Sequence, residues 1–474
     1  MELQNDKLIL SPTSNDGDHD GSRSASTESD ILQKRVEIKK KLKSKRAIAK
    51  PGSGNSTPTL IELNGRKGPI KDDYQIPLGT PMPPFKPGDL EAIPRPPMFL
   101  HTTTHAHVYC PGSKKEVELY LTDDHPFNRR GYRYIPCEAS EEFDSLKYRP
   151  TEVPPFGPRV SFEDMSPLVM VDRDTATIVS TEKGYRTARA NVGVREGKWF
   201  WECRILRANS IDAGQQEAGN VRVGWTRREA SLETPVGFDA YGYGIRDVTG
   251  QKMYISRGSD FMKEPFKTGD VIGLYISLPP VTVQLEQATS PSTKIRPKKI
   301  QKRATAVSNV VRDRFPIRYK GQMYFEQYER VPIKRFQDML NQTSNDDIIA
   351  REKTLREEGL ANSSIRIYKN GKYVGTPFES LLPFLPPNSV PLSTYDVRTT
   401  DDGNLGYYPS ISVYRGASAQ FNFGPDFDYF PADLRHEAQS SDPSKAVRGM
   451  YERYDEQIAE DIVWDVVDEV TLQQ

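Results

Sequence analysis

From about residue 158 onward, apolar and polar residues alternate in short runs broken by turn residues, as in KWFWECRIL, NVRVGWT, DVIGLYISL, SSIRIYKNG, YPSISVYRG and SAQFNFGP. A period of two places successive side chains on opposite faces of a strand, and many such runs a dozen or so residues apart predict an all-β, antiparallel sandwich. The Asn370-Gly371 pair between Tyr368 and Tyr373 predicts a tight hairpin, because both central positions of a type I′ turn need positive φ. No regular helix–strand alternation is present, which argues against a parallel α/β sheet. Three long insertions interrupt the strands, near 286–312, 332–361 and 380–405. The first is basic, the second helix-like (DDIIAREKTLREEGL), and the third rich in Pro, Ser and Asp.

The pattern changes at both ends. Residues 11–30 are Ser, Asp and Gly rich without periodic apolar positions and are expected to be disordered. A basic run follows in which Lys39, Lys40, Lys41, Lys43, Lys45 and Arg46 fall close together. Residues 76–98 are dense in proline, which both helices and central strands exclude, so an extended segment packed on something else is expected. In residues 450–474 the period becomes that of a helix. Tyr454, Ile458, Ile462, Val466 and Val470 recur at every fourth position, with Ala459, Val463 and Val467 alongside and an acidic opposite face of Glu456, Glu460, Asp461, Asp465, Asp468 and Glu469. These carboxylates are expected to be solvated. The domain reading is a disordered basic tail over 1–57, a proline-rich extended segment over 58–122, a sandwich with insertions over 123–439, and a linker and partner-binding helix over 440–474.

Composition alters this picture little. Only 36% of the 474 residues are hydrophobic, and there are 37 prolines, which suits a core smaller than the chain. Lys+Arg and Asp+Glu are equal at 65 each, so net charge names no partner. Three scattered cysteines, Cys110, Cys137 and Cys203, favour a reducing compartment over a disulfide framework. Neither a signal peptide nor a membrane span is predicted. His101, His105, His107 and Cys110 lie close together in HTTTHAHVYC, but HAHVY alternates like a strand and no second ligand cluster follows. No metal or cofactor is expected.

Several strings, in order, resemble the SPRY-domain subunit of the COMPASS histone methyltransferase complex, called Ash-two in animals and Bre-two in yeasts. They are His125-Pro126-Phe127-Asn128, Gly131-Tyr132-Arg133-Tyr134, Glu182-Lys183-Gly184-Tyr185, Gly193 to Trp199, Arg222-Val223-Gly224-Trp225, Pro235 to Asp239, Gly269 to Gly273, Tyr368 to Gly371 and Asn422 to Pro425. The resemblance implies a SPRY/B30.2-like sandwich that grips an acidic, sometimes phosphorylated, peptide of a WD40-propeller subunit and supports a catalytic SET-domain subunit. Arg222, Pro235, Phe238 and Arg246 stand where the family makes its acidic-peptide contacts. The animal family carries tyrosine where Phe238 stands, so ring packing is kept and a hydroxyl is lost. The terminal helix resembles the family segment that docks on a small dimeric helical subunit of the Dpy-thirty type. Ile458, Ile462, Val463, Val466, Val467 and Val470 would be its anchors. A helix folded back on the sandwich is the alternative.

The residues add their own argument. Arg222 alternates with Val221 and Val223, so it projects from the face opposite those valines, where a guanidinium can pair bidentately with a carboxylate or phosphate. An ordinary surface arginine would show the same pattern. Lys298, Lys299, Lys302 and Arg303 in the first insertion, with the basic run at 39–46, could contact nucleosomal DNA or direct nuclear import. Signatures of hydrolases, P-loop enzymes, dinucleotide-binding folds and SET-type methyltransferases are absent. The residues point to a non-catalytic scaffold, and the family resemblance implies that it is nuclear and stimulates methylation of histone H3 lysine 4. A ribonucleoprotein scaffold is the competing reading; a SPRY-type ubiquitin-ligase adaptor lacks its expected RING finger or SOCS-type box here.

Overall fold

The alternating runs become strands because their apolar sides meet across two facing sheets. The computed structural model describes residues 86–473 except 93, 101–105, 111–113, 124–131, 210–218, 290–311, 313, 342–352, 355–356, 387, 392–400 and 443–444. The chain divides into Met1–Gln75, which lies outside these residues, and Ile76–Gln474, to which everything below refers. Among the described residues, one sheet has eleven strands. Its main path is Met98–Leu100, Lys115–Asp123, Met170–Asp172, Ile178–Ser180, Ser418–Asn422, Gly197–Arg207, Val271–Leu278, Ser364–Lys369 and Lys372–Glu379. Ala106–Cys110 pairs beside Lys115–Asp123, and Val447–Gly449 beside Gly197–Arg207. The facing sheet has seven: Arg257–Ser259, Lys252–Tyr254, Gly242–Arg246, Asn220–Thr226, Tyr408–Tyr414, Tyr185–Ala190 and Val160–Met165.

Trp199, Trp201, Cys203 and Ile205 on one sheet and Val221, Val223 and Trp225 on the other share one buried cluster. Trp201 and Trp225 meet edge to face at 6.2 Å across the sandwich. Each such large side chain contributes on the order of 1.5–3 kcal/mol by leaving water, and that burial holds the layers together. The predicted hairpin is present, with Asn370 and Gly371 at φ 50° and 76° and Tyr368 opposite Tyr373.

Among the described residues the structure departs from the antiparallel expectation where Val447–Gly449 runs parallel to Lys198–Phe200. This pairing follows from the chain folding back over the outer side of Gly197–Arg207. Phe200 packs edge-on against Phe427 and Phe430 there, and the buried carboxylate of Glu202 accepts the N–H groups of Asp428 and Tyr429 at 2.7 and 2.8 Å. The central strand is thus covered on both faces. The third insertion also contributes to the core, since Leu381, Phe384 and Leu385 are buried in the main cluster.

A separate four-stranded sheet is built from Phe315–Tyr319, Gln322–Tyr328, Tyr132–Ala139 and Tyr148–Pro150. The proline-rich segment packs on it. Ala92 joins Cys137, Tyr148, Met323 and Phe325 in one cluster, and the Tyr148 hydroxyl donates to Asp89 at 2.8 Å. The chain closes with a helix, Met450–Leu472.

Candidate functional site

Arg222 lies on strand Asn220–Thr226 and Arg246 ends strand Gly242–Arg246, and the register sets them directly opposite each other. Val221 and Val223 point into the sandwich and are fully buried, so both arginines lie on the outer face, each partly exposed. Like charges in facing positions repel, and such a pair persists only where the rest of the fold outweighs the cost. Asp247 acts on both through its charge without an ion pair to either. Its carboxylate instead accepts the N–H groups of Val221 and Val248 at 2.9 and 2.8 Å, and burial pushes its pKa up to about 6. Among the described residues neither arginine makes a salt bridge, and the buried Nε of each lacks a hydrogen-bond partner. Burial holds the Arg222 guanidinium below its ordinary value; Tyr185 opposes this and Arg246 reinforces it. An acidic ligand would oppose the shift by adding negative charge beside the guanidinium.

Pro235 and Phe238 are brought to the same place by a turn in which the Phe238 N–H donates to the Pro235 carbonyl at 3.0 Å. Gly237 occupies its third position at φ 82°, and a Cβ there would stand 2.4 Å from the Met253 carbonyl, so only glycine fits. The turn is stitched to the sheet through Val236, whose N–H donates to Ser412 Oγ at 2.8 Å. Ser412 is the neighbour of Arg222 on its other side. The phenyl ring of Phe238 is exposed. All four sequence-predicted residues therefore fall around one outer-face site.

Two neighbours were not legible beforehand. Tyr185 and Tyr414 stack at 4.6 Å, the Arg222 guanidinium lies 5.4 Å from the Tyr185 ring, and Arg415 lies 5.2 Å from the Tyr414 ring. These rings orient the cation by cation–π attraction. Alternation along each strand shows which face a residue takes, but the register that sets Tyr185 beside Tyr414 is a pairing between distant segments.

The terminal helix presents a second surface. Ile458, Ile462, Val463, Val466, Val467 and Val470 are all exposed, with Ile462 and Val463 near three-fifths accessible. Tyr454, first of the same series in the sequence, instead enters the main core with Met450. The acidic side of the helix was expected in water, and the structure corrects this. Asp465 and Glu469 are buried against the body because Arg312 and backbone N–H groups meet them there. The helix is thus folded back through Met450 and Tyr454 at its start and through its acidic face beyond, while the stripe from Ile458 to Val470 stays exposed.

Lys39, Lys40, Lys41, Lys43, Lys45, Arg46, Lys298, Lys299, Lys302 and Arg303 lie outside the described residues, as do His101, His105 and the 125–128 string. Cys110 is buried, with its Sγ 3.6 Å from Gln420 Oε1. Among the described residues no group of three or more His, Cys, Asp or Glu is arranged to hold a metal ion, and no helix is long and apolar enough to cross a membrane.

The SPRY domain model matches residues 198–292. The Set1 complex component ash2 of Schizosaccharomyces pombe is 40% identical over 395 residues, covering 83% of this chain and 52% of the relative, so the chain spans about half of that protein's length. The COMPASS component cclA of Colletotrichum higginsianum is 39% identical, with 85% of this chain and 76% of the relative covered. The COMPASS component BRE2 of Saccharomyces cerevisiae is 30% identical, with 75% and 90% covered. With a SPRY-matching segment and this extent of shared sequence, the chain belongs to the family of COMPASS components represented by cclA and BRE2.

Proposed function

We propose that this chain is a non-catalytic, nuclear scaffold subunit of a COMPASS-type complex and stimulates methylation of lysine 4 of histone H3. The observation that carries the reading is the facing pair Arg222 and Arg246, left without an ion-paired carboxylate beside the exposed ring of Phe238. Two adjacent guanidinium forks suit consecutive carboxylates, or a carboxylate and a phosphate, on an extended peptide. Pro235 and Phe238 supply an apolar wall for the peptide's intervening side chains. The ligand on this reading is an acidic segment of a WD40-propeller subunit.

The exposed stripe Ile458 to Val470 has the i, i+3, i+4, i+7 spacing of a helix that lies in an apolar groove, which a Dpy-thirty-type helical dimer would provide. Holding both partners at once, the chain would steady the catalytic SET-domain subunit. The basic runs at 39–46 and 298–303 add a contact to nucleosomal DNA or an import signal. A methyltransferase assay on nucleosomes tests the whole reading. The expected result is a higher rate when this chain joins the SET and WD40 subunits and no activity from the chain alone. An unchanged rate would sink it.

A further inference from the structure

The terminal helix is held at two separate places, and the second is not part of the sandwich. At its start, Met450 and Tyr454 enter the main core and Arg453 Nε donates to the Gly193 carbonyl at 3.0 Å. Further along, Arg312 stands under the helix with its side chain almost fully buried. Its Nη2 donates to Asp465 at 2.6 Å, its Nε to Asp468 at 2.9 Å, and the Asp461 carboxylate lies 3.7 Å away. One turn beyond Asp465, the Glu469 carboxylate accepts the N–H groups of Ser145 and Leu146 at 3.0 and 2.6 Å. Arg312 lies three residues before strand Phe315–Tyr319, and Ser145 and Leu146 sit in the loop between Tyr132–Ala139 and Tyr148–Pro150. Both grips therefore come from the four-stranded sheet.

Asp461, Asp465, Asp468 and Glu469 are spaced i, i+4, i+7 and i+8, so they share one face of the helix. With about 100° between successive residues, fixing that face against the body fixes the rotation of the whole helix about its axis. Ile462, Val463, Val466 and Val470 are then turned to solvent. Most of the helix's negative charge is also spent internally.

We infer that the four-stranded sheet is a cradle for the partner-binding helix and that Arg312 is its positioning residue, setting the direction of the apolar stripe for a partner with an apolar rather than basic groove. This rests on the reading of the stripe as the docking site of a helical dimer, and it deepens that reading. Pre-orienting the helix lowers the ordering cost of association. A partner that meets few free carboxylates gains little from charge.

The test is calorimetric titration of the full chain with a recombinant Dpy-thirty-type dimer. For the wild type, affinity should change less than about threefold between roughly 0.05 and 0.5 M salt, since apolar burial is not screened. A steep fall with salt would overturn the inference, because the carboxylates would then face the partner. Arg312→Glu should weaken binding by about tenfold or more, and adding Asp465→Arg should recover most of the loss, as expected of a coupled pair. Retained binding of an acidic peptide at Arg222 and Arg246 shows that the variant is folded; if it is not, the wild-type salt titration still decides. Ile462→Asp with Val466→Asp separates the two claims. If that double variant binds normally, the docking reading fails; if it does not bind while Arg312→Glu binds like the wild type, only the cradle fails.

Discussion

At the outer-face site two cations face each other with no ion-paired carboxylate, whereas under the terminal helix Arg312, with the buried Arg314 beside it, has three carboxylates around it. The first surface keeps its charge for a partner. The second consumes its charge within the fold and leaves an apolar stripe outside. The difference teaches that the count of charged residues in a segment says little about what it offers a ligand. An acidic helix becomes an apolar docking surface, and a strand with one arginine becomes half of a doubly cationic site, because of what tertiary structure sets beside each.

The comparison can be broken most directly by charge reversal. Arg222→Glu with Arg246→Glu should weaken binding of an acidic peptide by about a hundredfold or more, since like charges would then meet in a partly buried site. Fluorescence anisotropy at low and high salt checks this, and wild-type binding should weaken markedly with salt, opposite to the helix surface. Equal affinity in the double variant would remove the site assignment.

Acid should act on the helix surface. Burial works against the charged form of Glu469, but the N–H groups of Leu146 and Ser145 outweigh it and hold the carboxyl below its ordinary range. A depressed folded pKa means that this contact stabilises docking above the ordinary carboxylate range and is lost as pH falls through the folded value. Hydrogen-exchange protection of the helix end, corrected for the intrinsic exchange rate, should therefore fall on acidification. Glu469→Gln should show fast exchange already at neutral pH, and pH-independent protection in the wild type would refute the latch.

A smaller effect is expected at Gly237. Gly237→Ala puts a Cβ against the Met253 carbonyl at a positive φ and should cost about 1–3 kcal/mol in the turn. Thermal unfolding would register the loss, along with weaker peptide binding as Phe238 shifts. Least of all, Phe238→Tyr should change peptide affinity by no more than about threefold, because the ring already supplies the apolar contact and an exposed hydroxyl adds at most one modest hydrogen bond. A larger gain would mean the ligand reaches that position with a polar group.

Much of the first site was legible along the chain. Alternation placed Arg222 opposite Val221 and Val223, and the positive-φ requirement marked Asn370-Gly371, because both are properties of neighbouring residues. The four-stranded sheet was not legible. Its strands come from residues 132–150 and 315–328, the second group just beyond an insertion read as a long basic loop, and no local period announces a pairing across so much chain. Glu202 shows the same limit: a carboxylate in an alternating strand reads as solvent-facing, yet it is buried by a segment more than two hundred residues away.

The sequence by itself determined the elements: sandwich strands from period two, the terminal helix from its fourfold recurrence, and the outward face of Arg222. Tertiary structure alone decided which charges remain free. Arg222 and Arg246 stay available because Asp247 is taken by backbone N–H groups, while the acids of the terminal helix are taken by Arg312 and the Ser145–Leu146 backbone. The physical reason is that local periodicity follows from the geometry of one strand or helix, whereas the neutralisation of a charge depends on which distant group folding brings within a few ångströms of it.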